Sequence, residues 1–240
     1  LLKSPSGSAG SALAGAVTGI SSVQISGQPG AEDPDIYVRG TGSLSNEASK
    51  PLILVDGVER SFFQMDSHEI ESVTVLKDAS STAVFGVRGA NGVILVTTRR
   101  GTKGKPQISW NSTFGLTQSL RHLTGVDSYT YATLYSEAQR SDNPGIKDDQ
   151  LTFSPFVTEM FRTKADPIMF PDVDWSKYIF KNVAWQTQHN ATLSGGGDRI
   201  RYFVSLGYLD QDGMMKRFDE SYDPNYNYQR FNYRSNIDVD

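Results

Sequence analysis

Strict two-residue alternation between apolar and polar side chains is the feature that most constrains this chain. The alternating stretches are about ten residues long, the length that a tilted β-strand needs to cross a bilayer. A soluble β-sandwich gives a similar alternation, although its strands are usually shorter, at about 5–6 residues. The four stretches are Gln107–Leu116, Trp185–Gly195, Arg199–Leu209 and Gln229–Asp240.

The connections between these stretches favour a membrane barrel over a sandwich. Ser194–Asp198 reads SGGGD and predicts a tight hairpin turn. The connections at the other ends are long, Thr117–Ala184 and Asp210–Tyr228. Short turns on one side and long loops on the other are typical of outer-membrane barrels. Four strands do not close a barrel, and lipid does not tolerate an open edge. We therefore expect this sequence to be part of a longer protein.

A barrel assigns each alternating face to an environment. A slip of one residue would reverse every assignment, so the prediction is specific. The side chains predicted to face lipid are Trp110, Phe114, Tyr202, Leu206, Phe231 and Tyr233. Those predicted to face the lumen are Asn111, Gln188, Arg230 and Arg234.

The first part of the chain, residues 1–104, follows a different pattern of small residues and short apolar runs between turns. Asp78–Phe85 is a predicted short helix, capped by Asp78 and ended by Gly86. Strands interleaved with a helix indicate an α+β domain with a mixed sheet. The predicted strands are Ser22–Ile25, Ile36–Arg39, Leu52–Val55, Ser72–Lys77 and Gly92–Arg99.

Composition and motifs argue against an enzyme or a cofactor protein. The 240 residues include no cysteine, and the net charge of −4 excludes a nucleic-acid footprint. The three histidines lack the spacings of a metal site. Asp56–Gly57 is expected to be a turn. Gly86, Gly89 and Gly92 follow a helix, whereas a phosphate loop precedes one. No stretch approaches the roughly 20 apolar residues of a transmembrane helix.

Three motifs resemble one known family. PLILVDG at Pro51–Gly57, IESVTVLKDASSTAVFGVRGANGVILVTTRRG at Ile70–Gly101 and HNATLSGGGDRIRYFVSLGYLDQD at His189–Asp212 closely resemble the SusC/RagA family of TonB-dependent outer-membrane transporters. DIYVRG at Asp35–Gly40 resembles the family's earlier plug strand. The resemblance implies a plug domain at 1–104. It implies the first antiparallel strands of a transmembrane β-barrel at 105–240, with a long extracellular insert at about 117–184.

The resemblance also implies a function and partners. A plug closes the barrel, a SusD-like surface lipoprotein covers it, and TonB pulls on the plug to admit substrate. The expected substrate is an oligosaccharide, and the alternative within the family is an oligopeptide. The implied surroundings are outer-membrane lipid and a dimeric complex. Two other classes remain open at this point: a receptor for metal chelates or cobalamin, and a soluble all-β binding module.

Candidate site residues follow from the matching motifs and from the insert. The basic residues Arg39, Lys77 and Arg88 are predicted to hold the plug against the barrel through polar contacts that can exchange with water. Tyr129, Trp175 and Tyr178 in the insert are predicted to contact the lipoprotein or the substrate. A helix is predicted at Ser128–Arg140, behind the cap residue Asp127, from apolar side chains at helical spacing.

Overall fold

The computed structural model describes residues 7–13, 17–38, 40, 49–120, 125–218 and 221–240. The chain divides into two compact units. The first contains Leu1–Thr117, Ala184–Gly213 and Asn225–Asp240, and the second contains Gln118–Val183 and Met214–Pro224. Within the described ranges, no helix is both long enough and apolar enough to cross a membrane.

The part of the first unit up to residue 101, called here the N-terminal fold, contains two sheets. Its elements are α1 (Ala9–Leu13), β1 (Ile20–Val23), β2 (Asp35–Val38), β3 (Leu52–Val55), β4 (Val58–Glu59), β5 (Ile70–Leu76), α2 (Ala79–Thr82) and β6 (Val93–Thr98). A four-stranded sheet has the order β4-β3-β6-β5, and β1 and β2 form an antiparallel ribbon. Strand β3 runs parallel to β6, and the other pairs are antiparallel. This confirms the predicted mixed sheet.

The core of the N-terminal fold lies on the two central strands of that sheet. Strands β3 and β6 are apolar along almost their whole length, as expected for central strands that are covered on both faces. Their side chains Val55, Ile94 and Val96 pack with the fully buried Phe62 and with Met65. Burial of these side chains holds the sheet in place beneath the loops that carry the polar residues described below.

The predicted Asp56–Gly57 turn is confirmed, and it joins β3 to β4. Both residues have positive φ, 51° and 84°, as a tight turn of this hand requires. The Asp56 carboxylate accepts hydrogen bonds from the Thr98 backbone N–H at 2.9 Å and from the Thr98 hydroxyl at 2.7 Å. The turn is therefore tied to the end of β6.

Two details of the sequence prediction are wrong. The first strand ends at Val23 rather than Ile25, because the Gln24 side chain donates to the Ser26 carbonyl in a local turn. The helix after β5 is a single α turn that continues as a 3₁₀ segment, and Gly86 interrupts it with φ of 59°. In such a short helix the Asp78 side chain makes no capping bond, and only its carbonyl accepts from Ser81 and Thr82.

The four alternating stretches form one antiparallel sheet, called here the strand sheet, with the order β10-β9-β8-β7. Its members are β7 (Gly104–Gln118), β8 (Val183–Gly196), β9 (Ile200–Gln211) and β10 (Tyr228–Val239). The predicted hairpin joins β8 to β9, closed by the Gly197 N–H donating to the Ile200 carbonyl at 2.8 Å. Gly101 lies so close to β9 that a Cβ would stand 2.3 Å from the Tyr202 nitrogen. Only glycine fits where the chain leaves the N-terminal fold.

The described part of the second unit contains the α-helices α3 (Ser128–Asp142), α4 (Pro155–Thr163) and α5 (Trp175–Ile179), with a 3₁₀ turn at Asp148–Gln150. The predicted helix is confirmed as α3, and the Asp127 carboxylate caps it by accepting from the Thr130 N–H at 2.7 Å. Edge-to-face ring contacts connect α3 to α4 through Phe153, which lies 5.9 Å from Tyr131 and 6.4 Å from Phe161. The insert therefore has a small aromatic core of its own.

Candidate functional site: the polar seam beside the strand sheet

The strand sheet turns one face toward the N-terminal fold and the other away from it. On β9 the buried Phe203, Ser205 and Leu209 alternate with the exposed Leu206. On β10 Phe231 and Tyr233 are 77% and 71% exposed, on the outer face. The predicted facing is confirmed. The apolar set lies on the outer face, and the polar set, including Gln188, Arg230 and Arg234, lies on the face toward the N-terminal fold.

Strand β10 contacts the N-terminal fold through every second side chain along its length. We call this row of polar contacts, with its extensions on β8 and β9, the seam. The β10 contacts are Arg230 Nη2 to Gly7 O at 2.9 Å, Asn232 Nδ2 to Gln64 O at 2.9 Å, Arg234 Nε to Glu69 Oε2 at 2.9 Å, Asn236 Nδ2 to Arg99 O at 2.7 Å, and Arg100 Nη1 to Asp238 Oδ1 at 2.5 Å. The seam is hydrophilic from one end of the strand to the other.

Arg234 is at the centre of the seam and pairs with two carboxylates. Its Nε donates to Glu69 at 2.9 Å, and its Nη1 lies 3.9 Å from Asp56. The side chains of Arg234 and Glu69 are only 13% and 3% exposed, so solvent screens this pair weakly. Burial raises the pKa of Glu69, and the Arg234 guanidinium opposes that rise by favouring the carboxylate.

Asp66 forms a second buried anchor, against strand β8. Its carboxylate accepts from the His68 backbone N–H at 2.8 Å, contacts the His68 ring at 2.9 Å, and accepts from the Gln188 amide at 3.2 Å. Burial alone would raise the pKa of Asp66, but the hydrogen bonds from His68 and Gln188 outweigh it, so this pKa lies below its ordinary value. Opposite, Gly207 leaves room for the carboxylate, because a Cβ there would stand 3.0 Å from Asp66 Oδ2.

A cavity of about 800 Å³ with a mixed polar and apolar lining lies beside the seam. Its lining includes Arg99, Arg100 and Glu71 from the N-terminal fold and Thr192 and Ser194 from β8. A wall of this composition can hold water, which can replace direct hydrogen bonds at small cost. Within the described ranges, no group of three or more His, Asp or Glu side chains is placed to hold a metal ion.

Comparisons with known proteins identify the family. Residues 1–93 match the family described as TonB-dependent Receptor Plug Domain. The TonB-dependent receptor SusC of Bacteroides thetaiotaomicron is 31% identical over 85% of this chain, and the TonB-dependent receptor P3 of Formosa agariphila is 34% identical over 98%. The chain belongs to the SusC/RagA family of TonB-dependent outer-membrane transporters.

Solved structures agree with this assignment. The RagAB peptide importer in its open-open state superposes on 99% of this chain with a TM-score of 0.70 at 26% identity, and the RagAB peptide transporter superposes on 95% with 0.70 at 28%. The chain spans 19% and 20% of the lengths of SusC and P3, and 27% and 26% of the two solved chains. The N-terminal fold is thus a plug, and the strand sheet belongs to the barrel wall of this family.

Two of the three predicted plug–barrel residues, Lys77 and Arg88, lie in the described part of the plug. The Lys77 ammonium donates to the Thr18 carbonyl, and Arg88 pairs with Glu59. Each of these two side chains therefore contacts another part of the plug. Arg39 lies outside the described residues. A role for these three residues at the barrel wall stays a prediction.

The predicted insert residues lie on the surface of the second unit. Trp175 and Tyr178 are 62% and 54% exposed and meet edge to face at 5.8 Å, and Tyr178 also stacks on Phe218. Tyr129 is 38% exposed at the start of α3. Their proposed partner contacts are not tested by this geometry.

Sequence reasoning missed the plug side of the seam because it searched for basic residues there. At the centre of the seam the polarity is the opposite, because the plug supplies Asp56, Asp66 and Glu69 and β10 supplies Arg234. Arg100, which pairs with Asp238, is a basic plug residue that the search did not name. A signal was present, since Asp66 and Glu69 are carboxylates that directly precede a strand, and the two arginines alternate on β10's polar face.

Proposed function

We propose that this chain is the plug and the first barrel strands of a transporter that imports oligosaccharides across the outer membrane. The plug domain is assigned to residues 1–104 and the start of the barrel to 105–240. In this proposal TonB supplies the pulling force, and a SusD-like lipoprotein covers the external opening. The observation that carries the proposal is the seam along β10, where the strand contacts the plug through hydrogen bonds and ion pairs.

A seam of this kind suits a plug that must be held firmly and released repeatedly. Each hydrogen bond contributes only about 0.5–1.5 kcal/mol net, because water replaces it when it breaks. An apolar seam would instead expose apolar surface to water on release, and this exposure costs about 25 cal/mol per Å². Pulling on the plug can therefore break the contacts one after another along β10, without a large barrier from hydrophobic surface.

The assignment of substrate class rests on likeness to SusC, a member of the family for which oligosaccharides are expected. A second candidate is an oligopeptide, because the superposed solved structures are of the RagAB peptide importer. The proposed contact residues at the external side are Tyr129, Trp175 and Tyr178, whose exposed rings suit either a sugar face or a peptide backbone.

Deletion of the full-length gene tests the proposal. The deletion strain is grown on a panel of single oligosaccharides and on defined oligopeptides, with intact and depolarised inner membranes. We expect loss of energy-dependent uptake of one oligosaccharide class, restored by the wild-type gene. Loss confined to oligopeptides would select the second candidate, and energy-independent uptake of every substrate would contradict a TonB-dependent transporter.

A further inference from the structure

The outer face of the strand sheet carries a row of rings that extends across all four strands, with the two rings of β7 on either side of the level of His189. His189 on β8 lies parallel to Tyr208 on β9, with centroids 6.4 Å apart and planes at 4°, and Tyr208 meets Phe231 on β10 at 4.8 Å. On β7, Trp110 and Phe114 lie 6.0 and 5.8 Å from His189. The alternating pattern predicts that these side chains face outward, but it does not predict that their rings contact one another across strands.

On β9 and β10 the row marks the upper border of the apolar band, whereas on β7 and β8 Phe114, Leu116 and Trp185 continue the apolar face beyond it. Below it, the paired outer residues are apolar down to Ile200 and Val239, apart from Ser235 opposite Val204. Directly above it, Asp210 is paired with Thr187 and with Gln229. In an outer-membrane barrel an aromatic row with apolar residues on one side and polar residues on the other lies at the level of the lipid headgroups. The short Gly197 turn is at the far end of the strands, so this row is at the end that carries the long connections.

A groove of about 330 Å³ lies immediately below the row. Bonds from Ser109 to Thr192 and from Ser112 to His189 place Trp110 level with Ala191, which is itself paired with Leu206. The small Ala191 side chain therefore leaves a notch between Trp110 and Tyr233. Its walls come from strands that are all present in this chain, so neighbouring strands are not needed to form it.

A hydrogen-bond donor stands at the mouth of the groove. The Trp110 indole, which can only donate, bonds the Ser112 hydroxyl oxygen at 2.7 Å. Ser112 is then free to donate its own proton to His189 Nδ1, at 2.9 Å. When Ser112 donates to Nδ1, neutral His189 carries its proton on Nε2, and a charged ring carries one there as well. No protein acceptor for Nε2 is found in the described part of the chain.

We propose that this groove is a specific binding site for an outer-leaflet lipid. One acyl chain lies in the notch over Ala191, between Trp110 and Tyr233. A phosphate or ester oxygen of the same lipid accepts the hydrogen bond from His189 Nε2. The inference depends on the family assignment and not on the nature of the imported substrate.

Native mass spectrometry of the full-length transporter, extracted in a mild non-ionic detergent, tests the site. The protein is delipidated and titrated with purified lipid A from the outer leaflet. Ala191→Phe fills the notch, and His189→Ala removes the donor. Leu193→Phe is the positional control, because it places the same phenyl ring on the same face, one level below the groove. We expect Ala191→Phe to reduce the tightest lipid adduct at least tenfold and His189→Ala several-fold, with the control unchanged.

A folded-barrel gel shift and unchanged substrate uptake by all three variants establish that each variant is assembled. Equal abundance of the lipid adduct in wild type and Ala191→Phe would contradict a lipid site in the groove. An equal loss of adduct in Leu193→Phe would show that only nonspecific annular lipid binds. Retention of the adduct when lipid A is replaced by a dephosphorylated form would assign the acceptor to an ester oxygen. Loss in that form would assign it to the phosphate, and both results support the site.

Discussion

At the scale of single residues, the seam depends on the buried pair between Arg234 and Glu69. Breaking a buried ion pair by removing one partner leaves an uncompensated charge and costs about 3–5 kcal/mol. An exposed pair costs much less, with a median of about 0–1 kcal/mol. The strand sheet offers both cases, since Arg201 forms an exposed pair with Asp240 on the neighbouring strand.

Arg234→Gln is therefore expected to destabilise plug seating by about 3 kcal/mol, whereas Arg201→Gln changes it by less than about 1 kcal/mol. The measurement is the urea concentration at which the full-length transporter, reconstituted in a planar bilayer, opens an ion conductance. We expect a clearly lower midpoint for Arg234→Gln alone. Equal midpoints for the two variants would contradict a main role for Arg234 in holding the plug.

The pKa of Asp66 predicts how seating depends on pH. Its pKa is lowered in the folded state, so its stabilising effect is present above the ordinary value of 3.8 and is lost as pH falls through the folded value. Asp66→Asn removes the ionisable carboxylate and with it this pH-dependent stabilisation. As the pH falls below the ordinary value of 3.8, we expect the wild-type urea midpoint to fall more steeply than that of the variant. Parallel pH profiles would contradict a stabilising Asp66 carboxylate.

At the scale of secondary-structure elements, β10 shows most clearly that successive side chains of one strand lie on opposite faces of the sheet. The Asn232 side-chain amide donates to the Gln64 carbonyl of the plug at 2.9 Å. The adjacent Tyr233 is 71% exposed on the outer face. These two positions differ by one residue and face opposite environments. A charged side chain on the lipid face costs up to about 2–4 kcal/mol near the bilayer midplane, and less near the interfaces.

Tyr233→Arg is accordingly expected to reduce the fraction of folded barrel in the outer membrane, measured by heat-dependent gel mobility. Asn232→Arg, one residue earlier, should assemble normally and affect only plug seating. If Asn232→Arg blocked assembly and Tyr233→Arg did not, the register of β10 would be wrong by one residue.

The elements were predictable from the sequence to different extents. Alternation over about ten residues gave β7 to β10 and their facing, because lipid and plug impose opposite demands on successive side chains. The residue partners across the seam were not predictable in this way. Glu69 and Arg234 are 165 residues apart, and their contact depends on how the plug sits against β10. The Asp78 cap failed because the segment forms only one helical turn.

At the scale of the whole molecule, chain direction predicts the position of the insert. The short hairpin turn at Gly197 is expected in the periplasm, as in other outer-membrane barrels, and the long connections are expected outside. We therefore expect the segment from Thr117 to Ala184 to be extracellular. A protease-cleavable tag inserted at Asn143 should be cut on intact cells expressing the full-length protein. Cleavage only after permeabilisation of the outer membrane would reverse the topology.

Under the proposed function, the plug must part from β10 during import. These 240 residues contain no cysteine. Once any cysteine elsewhere in the full-length protein is replaced, a single introduced pair can be tethered selectively. We suggest Gln64→Cys with Asn232→Cys, joined by a short bis-maleimide linker that contains a cleavable disulfide. A matched control joins two plug positions, Lys77→Cys and Thr18→Cys, which already contact each other.

Uptake by the full-length transporter before and after reduction of the linker is the decisive measurement. We predict that the tether across the seam abolishes energy-dependent uptake, leaves substrate binding at the cell surface intact, and is fully reversed by the reductant. The tether within the plug should have a smaller effect on uptake. Wild-type uptake with the seam tether in place would contradict the claim that these contacts open.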